Sequence, residues 1–440
     1  MLKQESQLLS RDLYLKRLIA FQDTEPVKII TGIRRCGKSS LMKLMARHLR
    51  QSGADEAQII EINFESMEFR EMSAKELYQY VKERLPADKR AYLFFDEIQR
   101  IVKWQDAVNS FRVDFDCDIY VTGSNAYLLS SEYATYLAGR SIEIKMLPLS
   151  FREFLDFHGY TVRETLSPSG GVRRRIFDTE NESYGQRELL DAYLKFGGMP
   201  GIADVGLDTD KALTLLDGIY STVVVRDILE REKKRGRRQI TNSDLLRKII
   251  MFLADNIGNS TSITSISNTL INEKLLDSDN RRGNPAVQTI QAYVGALLES
   301  FVFYEIKRFD IKGKEYLRTL GKYYIVDIGL RNYLLGFRDM DIGHIIENIV
   351  YFELLRRGYD VAIGKVGDRE VDFIATNVHE KRYIQVTESM NDPSTREREL
   401  APLRKIRDNY EKLIIANNCE NPVTQDGIKI ITLIDFLLGD

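Results

Sequence analysis

Residues 27–40 read Val-Lys-Ile-Ile-Thr-Gly-Ile-Arg-Arg-Cys-Gly-Lys-Ser-Ser. A β-branched run (Val27, Ile29, Ile30) ends at Gly32, four residues follow, and then Gly37-Lys38-Ser39 opens a helical pattern of Leu41, Met42, Leu44, Met45 and Leu49. A strand, G-x-x-x-x-G-K-[ST] and a helix in that order make a phosphate-binding loop. The glycines let backbone N–H groups turn inward around phosphate oxygens, and the helix N-terminus adds its positive end. Residues Gly32, Ile33, Arg34, Arg35, Cys36, Gly37, Lys38, Ser39 and Ser40 are therefore expected to cradle ATP. Lys38 would reach the β- and γ-phosphates, and Ser39 would offer a hydroxyl to Mg²⁺. The bland alternative is a glycine-containing turn with a chance Lys-Ser, which the flanking strand and helix argue against.

Working outward, residues 1–26 read as an amphipathic helix leading through Pro26 into the first strand. Further strands are expected at 58–64, 91–95, 118–122 and 141–146, with helical patterns around 41–50, 74–85 and 104–112. Alternating strands and helices predict a parallel, doubly wound sheet, with ligands at the carboxyl ends of its strands. The run Tyr92-Leu93-Phe94-Phe95 ends in Asp96-Glu97, as a Walker B element does. Asp96 is expected to hold the metal and Glu97 to act as general base toward the attacking water. The following strand ends Thr122-Gly123-Ser124-Asn125. Asn125, or Ser124 in second place, would orient that water; a plain turn whose Asn tolerates a left-handed conformation is the alternative. Arg140, just before the fifth strand, is read either as a finger acting on a neighbouring subunit's γ-phosphate or as a surface arginine.

In this order, with Leu137-Ala138-Gly139-Arg140 and Leu147-Pro148-Leu149-Ser150-Phe151-Arg152-Glu153-Phe154, the sequence resembles prokaryotic AAA+ ATPases that carry an uncharacterised nuclease-like C-terminal domain. The leader Arg11-Asp12-Leu13-Tyr14-Leu15 fits as well. The resemblance covers essentially the whole chain and is most specific through about residue 155. It implies a sheet with an additional strand and a helical lid over 151–235. Within that lid, Phe196-Gly197-Gly198-Met199-Pro200 resembles the element by which related switch ATPases sense the nucleotide, with Pro200 near the base. A helix-breaking turn is the alternative. Residues 163–175, with Ser167-Pro168-Ser169-Gly170-Gly171 and Arg173-Arg174-Arg175, are expected to form a solvent-facing loop.

Residues 231–340 hold 19 Lys+Arg against 12 Asp+Glu. Helices at 241–257, 263–272 and 285–300, then strands at 302–309 and 315–326, outline a winged helix-turn-helix. Gln288, Thr289, Gln291 and Tyr293 of its third helix, and Lys312 and Lys314 of its wing, would meet DNA. Docking to a protein is the other use of such a module. Residues 341–440 resemble a PD-(D/E)xK nuclease fold, in which Glu347 and Asp372 supply acids and Gln385 stands where a second acid belongs. These three make a possible second metal site. Thr387 stands where the fold has lysine, and losing such a cation costs about a hundredfold or more in rate. A degenerate site without cleavage is the expectation.

The predicted architecture is a multidomain α/β chain: a P-loop parallel-sheet core (1–150), helical lid (151–235), winged helix (236–340) and nuclease-like α/β domain (341–440). At 440 residues the chain is too long for one core. The net charge of −2 asks for no nucleic acid globally, so any basic surface must be local. No apolar run is long enough to cross a membrane, and the polar start is no signal peptide. Cys36, Cys117 and Cys419 lack metal spacing, which fits a reducing cytoplasm. The expected function is an Mg²⁺-dependent ATPase switch or motor, assembled as a homo-oligomer and coupled to DNA. An ATP-gated nuclease and a protein-interaction ATPase are the alternatives.

Overall fold

In a computed structural model the described residues are 8–124, 139–166, 172–222, 227–234, 240–272, 287–311, 313, 315–338, 341–419 and 423–439. The chain divides into two compact units, the first comprising 1–147 with 299–301 and the second comprising 148–298 with 302–440.

The first unit is built on five parallel strands: β1 (Val27–Thr31), β2 (Ile59–Asn63), β3 (Ala91–Asp96), β4 (Cys117–Gly123) and β5 (Ser141–Lys145). Their order is β2-β3-β4-β1-β5, with every neighbouring pair parallel. This is the α/β core expected from the sequence. Helices α1 (Asp12–Ala20), α2 (Lys38–Gln51), α3 (Ala74–Lys82) and α4 (Trp104–Asp114) accompany it. The α3 start is set by a capping box, in which Ser73 and Glu76 satisfy each other's free backbone N–H groups. One core gathers Leu77 and Val81 of α3, Leu93 and Phe95 of β3 and Phe111 of α4. Strand β1 is buried along its whole length, including Lys28, whose ammonium pairs with the equally buried Asp118 of β4 and donates to Thr24 O at 2.8 Å. The helix expected over 1–26 is confined, among the described residues, to α1. The chain turns at Asp23, in the left-handed region, and Pro26 then holds the preceding residue away from helical geometry.

The second unit opens with helix Phe151–Phe157, started by a Ser150–Glu153 capping box. The loop expected at 163–175 is instead mostly strand. β6 (Thr161–Leu166), β7 (Val172–Phe177) and β8 (Ser183–Tyr184) form an antiparallel sheet, in which Arg174 pairs with Glu164 directly opposite. The cross-strand charge pair and the β-branched residues outweigh the polar look of the segment. Helices Gln186–Phe196, Gly201–Val205, Thr209–Ile219 and Asp227–Lys234 follow, then Ser243–Asp255, Ile263–Asn272 and Val287–Glu299.

The remaining strands share one sheet: β9 (Ser260–Thr261), β10 (Phe303–Asp310), β11 (Glu315–Ile325), β12 (Asp360–Val366), β13 (Arg369–Thr376), β14 (Lys381–Ser389), β15 (Glu411–Asn418), β16 (Val423–Gln425) and β17 (Ile428–Thr432). Their order is β16-β17-β15-β14-β13-β12-β10-β11-β9. The hairpin expected as a wing, β10–β11, thus continues through β12 into the C-terminal strands, and the sheet runs across the boundary drawn at residue 340. Among the described residues, no helix is long and apolar enough to cross a membrane.

Candidate nucleotide site and a second acidic centre

Strand β1 ends at Thr31, and the loop that follows is shaped by two glycines. Gly32 has φ +145°, and a Cβ there would lie 2.1 Å from Met146 O, so no larger residue fits. Gly37, with φ +102°, hands the chain to α2 from a left-handed conformation. Arg35 also sits at positive φ, which a side-chain-bearing residue adopts at a cost. Lys38 is buried, and its ammonium donates to Gly32 O at 3.0 Å and Ile33 O at 3.1 Å. The cation is folded over its own loop onto carbonyl oxygens that phosphate oxygens could replace. Cys36 is buried against Met146, while Ser39 and Arg35 face solvent.

The loop is braced from α1, which the sequence did not assign to the site. The Arg11 guanidinium donates to Cys36 O at 3.1 Å and to Leu147 O at 2.9 Å, and Leu147 N donates to the Tyr14 hydroxyl at 3.1 Å. The only signal for this was the leader motif itself.

Strand order brings the second motif alongside. β4 lies between β1 and β3, in register Thr31↔Gly123 and Phe95↔Val121. The ends of all three strands therefore stand side by side. Asp96 is buried, its Oδ1 accepting the Thr122 hydroxyl at 2.5 Å and its Oδ2 the Asn63 amide at 3.1 Å. Glu97 has φ +57°, and its N–H donates to Thr122 Oγ1 at 2.9 Å. Its carboxylate accepts Ser124 Oγ at 3.2 Å and the Gln99 side-chain amide. Ser124 is thus the polar residue seen against Glu97; Asn125 lies outside the described residues. Thr122 and Asn63, which touch the acid pair directly, were not singled out from sequence. The signal available was a threonine ending an otherwise apolar strand.

Arg140 lies at the other edge. Its carbonyl accepts the Val27 N–H at 2.9 Å, at the amino end of β1, and its side chain is exposed. Five residues of β1, about 17 Å of strand, separate it from the phosphate-binding loop of the same chain. Two other arginines converge beside that loop. Arg34 Nη2 and Arg100 Nη2 both donate to Glu65 Oε1, at 2.5 and 2.9 Å.

In the second unit, Pro200 begins the short helix Gly201–Val205, directly after a clamped turn. Gly197 has φ +75°, and the Asp327 carboxylate accepts N–H groups from Gly198 at 2.7 Å and Leu330 at 3.1 Å. Burial pushes Asp327 up to about 6, against the opposing effect of those N–H donors.

Of the residues expected to form a second metal site, Glu347 and Asp372 lie near a cation of the protein's own, Lys322. Lys322, 4% exposed, donates to Glu347 Oε1 at 2.8 Å and pairs with Glu370 at 2.8 Å. The Tyr324 hydroxyl adds a bond to the same Glu347 oxygen at 2.5 Å. Asp372 Oδ2 accepts Val386 N–H at 2.8 Å, and Gln385 Oε1 meets Asp372 N–H at 3.4 Å. Burial, then the nearby Glu347, hold the Asp372 carboxyl well above the ordinary carboxylate range. Among the described residues, no three His, Cys, Asp or Glu side chains converge as metal ligands. Thr387, where the resembling fold has lysine, is buried.

On the expected recognition helix, Gln288 and Gln291 are exposed and Thr289 is half-buried. Tyr293 is not available: it is buried, and its hydroxyl accepts the N–H groups of Thr241 and Asn242 at 3.2 and 2.9 Å. Lys312 and Lys314 lie outside the described residues.

Residues 24–155 match a family model described as an AAA domain, and residues 187–341 match one described as a domain of unknown function. An uncharacterised protein of Haemophilus influenzae is 39% identical over 98% of this chain and 99% of its own length. An uncharacterised protein of Methanocaldococcus jannaschii is 30% identical over 98% of this chain and 86% of its own. Among solved structures, a Walker-type ATPase of Pyrococcus abyssi covers 74% of this chain and 95% of its own, at 15% identity and a TM-score of 0.48.

Proposed function

This chain belongs to the family of the Haemophilus influenzae and Methanocaldococcus jannaschii proteins and carries an AAA domain over residues 24–155; from that premise we propose that it is an ATP-hydrolysing switch whose chemistry resides in the first unit. The observation that carries the reading is the convergence, at the ends of β1, β4 and β3, of Lys38, the Thr122–Ser124 pair and Asp96-Glu97. The glycine-shaped loop would wrap the phosphates, with the Lys38 ammonium exchanging the Gly32 and Ile33 carbonyls for phosphate oxygens. Mg²⁺ held by Ser39 and Asp96 would neutralise charge developing on the β- and γ-phosphates. Asp96 is oriented for that by Asn63 and Thr122. Glu97, steadied by Ser124, would take the proton of the water that attacks the γ-phosphorus, releasing ADP. Phosphate release from ATP and Mg²⁺ tests this: wild-type turnover that disappears in Glu97→Gln, with ATP still bound, is expected. Bound ATP without any wild-type turnover would contradict hydrolysis.

The helices from 151 to 234 would act as the lid, with Pro200 as its nucleotide sensor. The exposed position of Arg140, just before the edge strand β5, supports action on a neighbouring copy in a homo-oligomer. Coupling to DNA is a second reading, favoured by the exposed Gln288 and Gln291 and the hairpin that follows them. Duplex DNA should then raise phosphate release, and the effect should fade as salt rises, because phosphate contacts release counterions. An unchanged rate would favour a protein partner. The nuclease alternative has no support in the Lys322-centred cluster.

A further inference from the structure

We propose that Gln99 is a positioning residue for ATP hydrolysis: its side-chain amide ties one oxygen of the Glu97 carboxylate and leaves the other for the attacking water. The proposal rests on the ATPase reading above and adds to it the group that orients the base. Glu97 Oε2 accepts two side-chain donors, Gln99 Nε2 and, at 3.2 Å, Ser124 Oγ. Gln99 comes from the short turn Ile98–Arg100 that follows β3, and Ser124 from the residue after β4. Among the described residues no donor meets Glu97 Oε1.

Regular geometry does not produce this contact, because side chains two apart on a helix do not face each other. Here Glu97 takes the left-handed conformation, φ +57°, uncommon for a residue with a side chain, while its N–H is fixed on Thr122 Oγ1 at 2.9 Å. The carboxylate also decides which way the Gln99 amide turns, since the reverse orientation would set a carbonyl against it. In the orientation adopted, Gln99 Oε1 is buried and, among the described residues, accepts no hydrogen bond. Buried acceptors left unmet are costly and few. Two unfavourable local features, the left-handed Glu97 and the unmet Gln99 carbonyl, thus accompany one hydrogen bond to the base. In the step it serves, the water oxygen bonds to the γ-phosphorus as the bond to ADP breaks, and the proton passes to Glu97 Oε1. Gln99 itself transfers nothing.

Phosphate release, calorimetric ATP titration and urea unfolding of wild type, Gln99→Met and Gln99→Glu test the assignment. Gln99→Met keeps the length and removes the donor, so kcat should fall about tenfold to a hundredfold while ATP affinity changes less than about threefold. Its urea midpoint should hold or rise, because the unmet acceptor goes with the amide. Gln99→Glu sets a carboxylate against Glu97 and should be as slow at pH 8. Toward pH 6 repulsion between the two carboxylates favours a shared proton, which restores a donor in the amide's place. The rate of Gln99→Glu relative to wild type should then recover severalfold, and that of Gln99→Met should not. A wild-type kcat in Gln99→Met, a loss of ATP affinity or of stability that matches the loss of rate, or no relative recovery of Gln99→Glu would overturn the assignment. Glu97→Gln is the separate control. If wild type shows no turnover, or turnover survives in Glu97→Gln, the hydrolysis reading itself fails and this role falls with it.

Discussion

The Thr122 hydroxyl donates to Asp96 Oδ1 at 2.5 Å and, with the same oxygen, accepts the Glu97 N–H at 2.9 Å. One side chain on β4 thereby sets the direction of the Asp96 carboxylate at the end of β3 and of the backbone at Glu97, the pair proposed to hold the metal and to activate water. Thr122→Val keeps the shape and removes both bonds, leaving a buried carboxylate oxygen and a backbone N–H unsatisfied. The variant should lose about 1–3 kcal/mol of stability. Its kcat for ATP should fall at least about tenfold, with a smaller change in ATP affinity, because the loss falls on positioning rather than on binding. Urea denaturation and steady-state phosphate release check the two halves.

The Lys28–Asp118 pair lies wholly inside the sheet of the first unit. Burial pulls Lys28 below the ordinary lysine range, and the Asp118 carboxylate opposes that. Lys28→Met strands a carboxylate that, among the described residues, retains the Tyr120 hydroxyl and Asp23 N–H as hydrogen-bond donors. The expected cost is about 3–5 kcal/mol. Adding Asp118→Leu to Lys28→Met should recover most of it, since the pair's desolvation penalty disappears with both charges. Midpoints of urea unfolding for the two single variants and the double variant measure this directly.

Asp327 gives a pH dependence with a definite sign. Its folded value of about 6 is raised above the ordinary aspartate value of 3.8, so the native state holds the proton more tightly than the unfolded chain. The resulting contribution is full below about pH 4 and is lost as pH rises through 6. Asp327→Asn removes the titration and adds a constant offset from its missing acceptor oxygen. The stability difference between wild type and variant should therefore move by about 1 kcal/mol between pH 5 and pH 7.5, with wild type relatively stronger at pH 5. Denaturation midpoints at the two pH values provide the check; a difference that does not move, or moves the other way, would remove Asp327 from this role.

The Arg11 brace on Cys36 O and Leu147 O predicts that Arg11→Ala loosens the phosphate-binding loop. Two buried carbonyls lose a charged donor, so stability should fall by about 2–3 kcal/mol and ATP affinity should weaken with it. Calorimetric ATP titration alongside thermal unfolding separates the two effects.

Much of the first unit was legible in sequence because its strands are continuous apolar runs closed by chemistry-bearing residues. Tyr92–Phe95 ending at Asp96-Glu97 is the clearest case. Positions that depend on pairing between distant strands were not legible. Lys322 reaches Glu347 through a sheet that the local pattern does not reveal, and Thr122 gains meaning only once β4 is known to separate β1 from β3. The strands flanking Ser167–Gly171 were hidden by that breaker cluster and by three consecutive arginines, which mask a period of two. Tyr293 was misassigned for a reason visible in the helix itself: Ile290, Tyr293, Val294 and Leu297 form one i, i+3, i+4, i+7 stripe, which is a core face.

The central claim, that the loop at residues 32–39 binds a triphosphate, is tested most directly by calorimetric titration of ATP with Mg²⁺ into wild type and Lys38→Ala. The account predicts saturable binding to wild type and its loss, with phosphate release, in Lys38→Ala. Equal binding and turnover in the two proteins would contradict it.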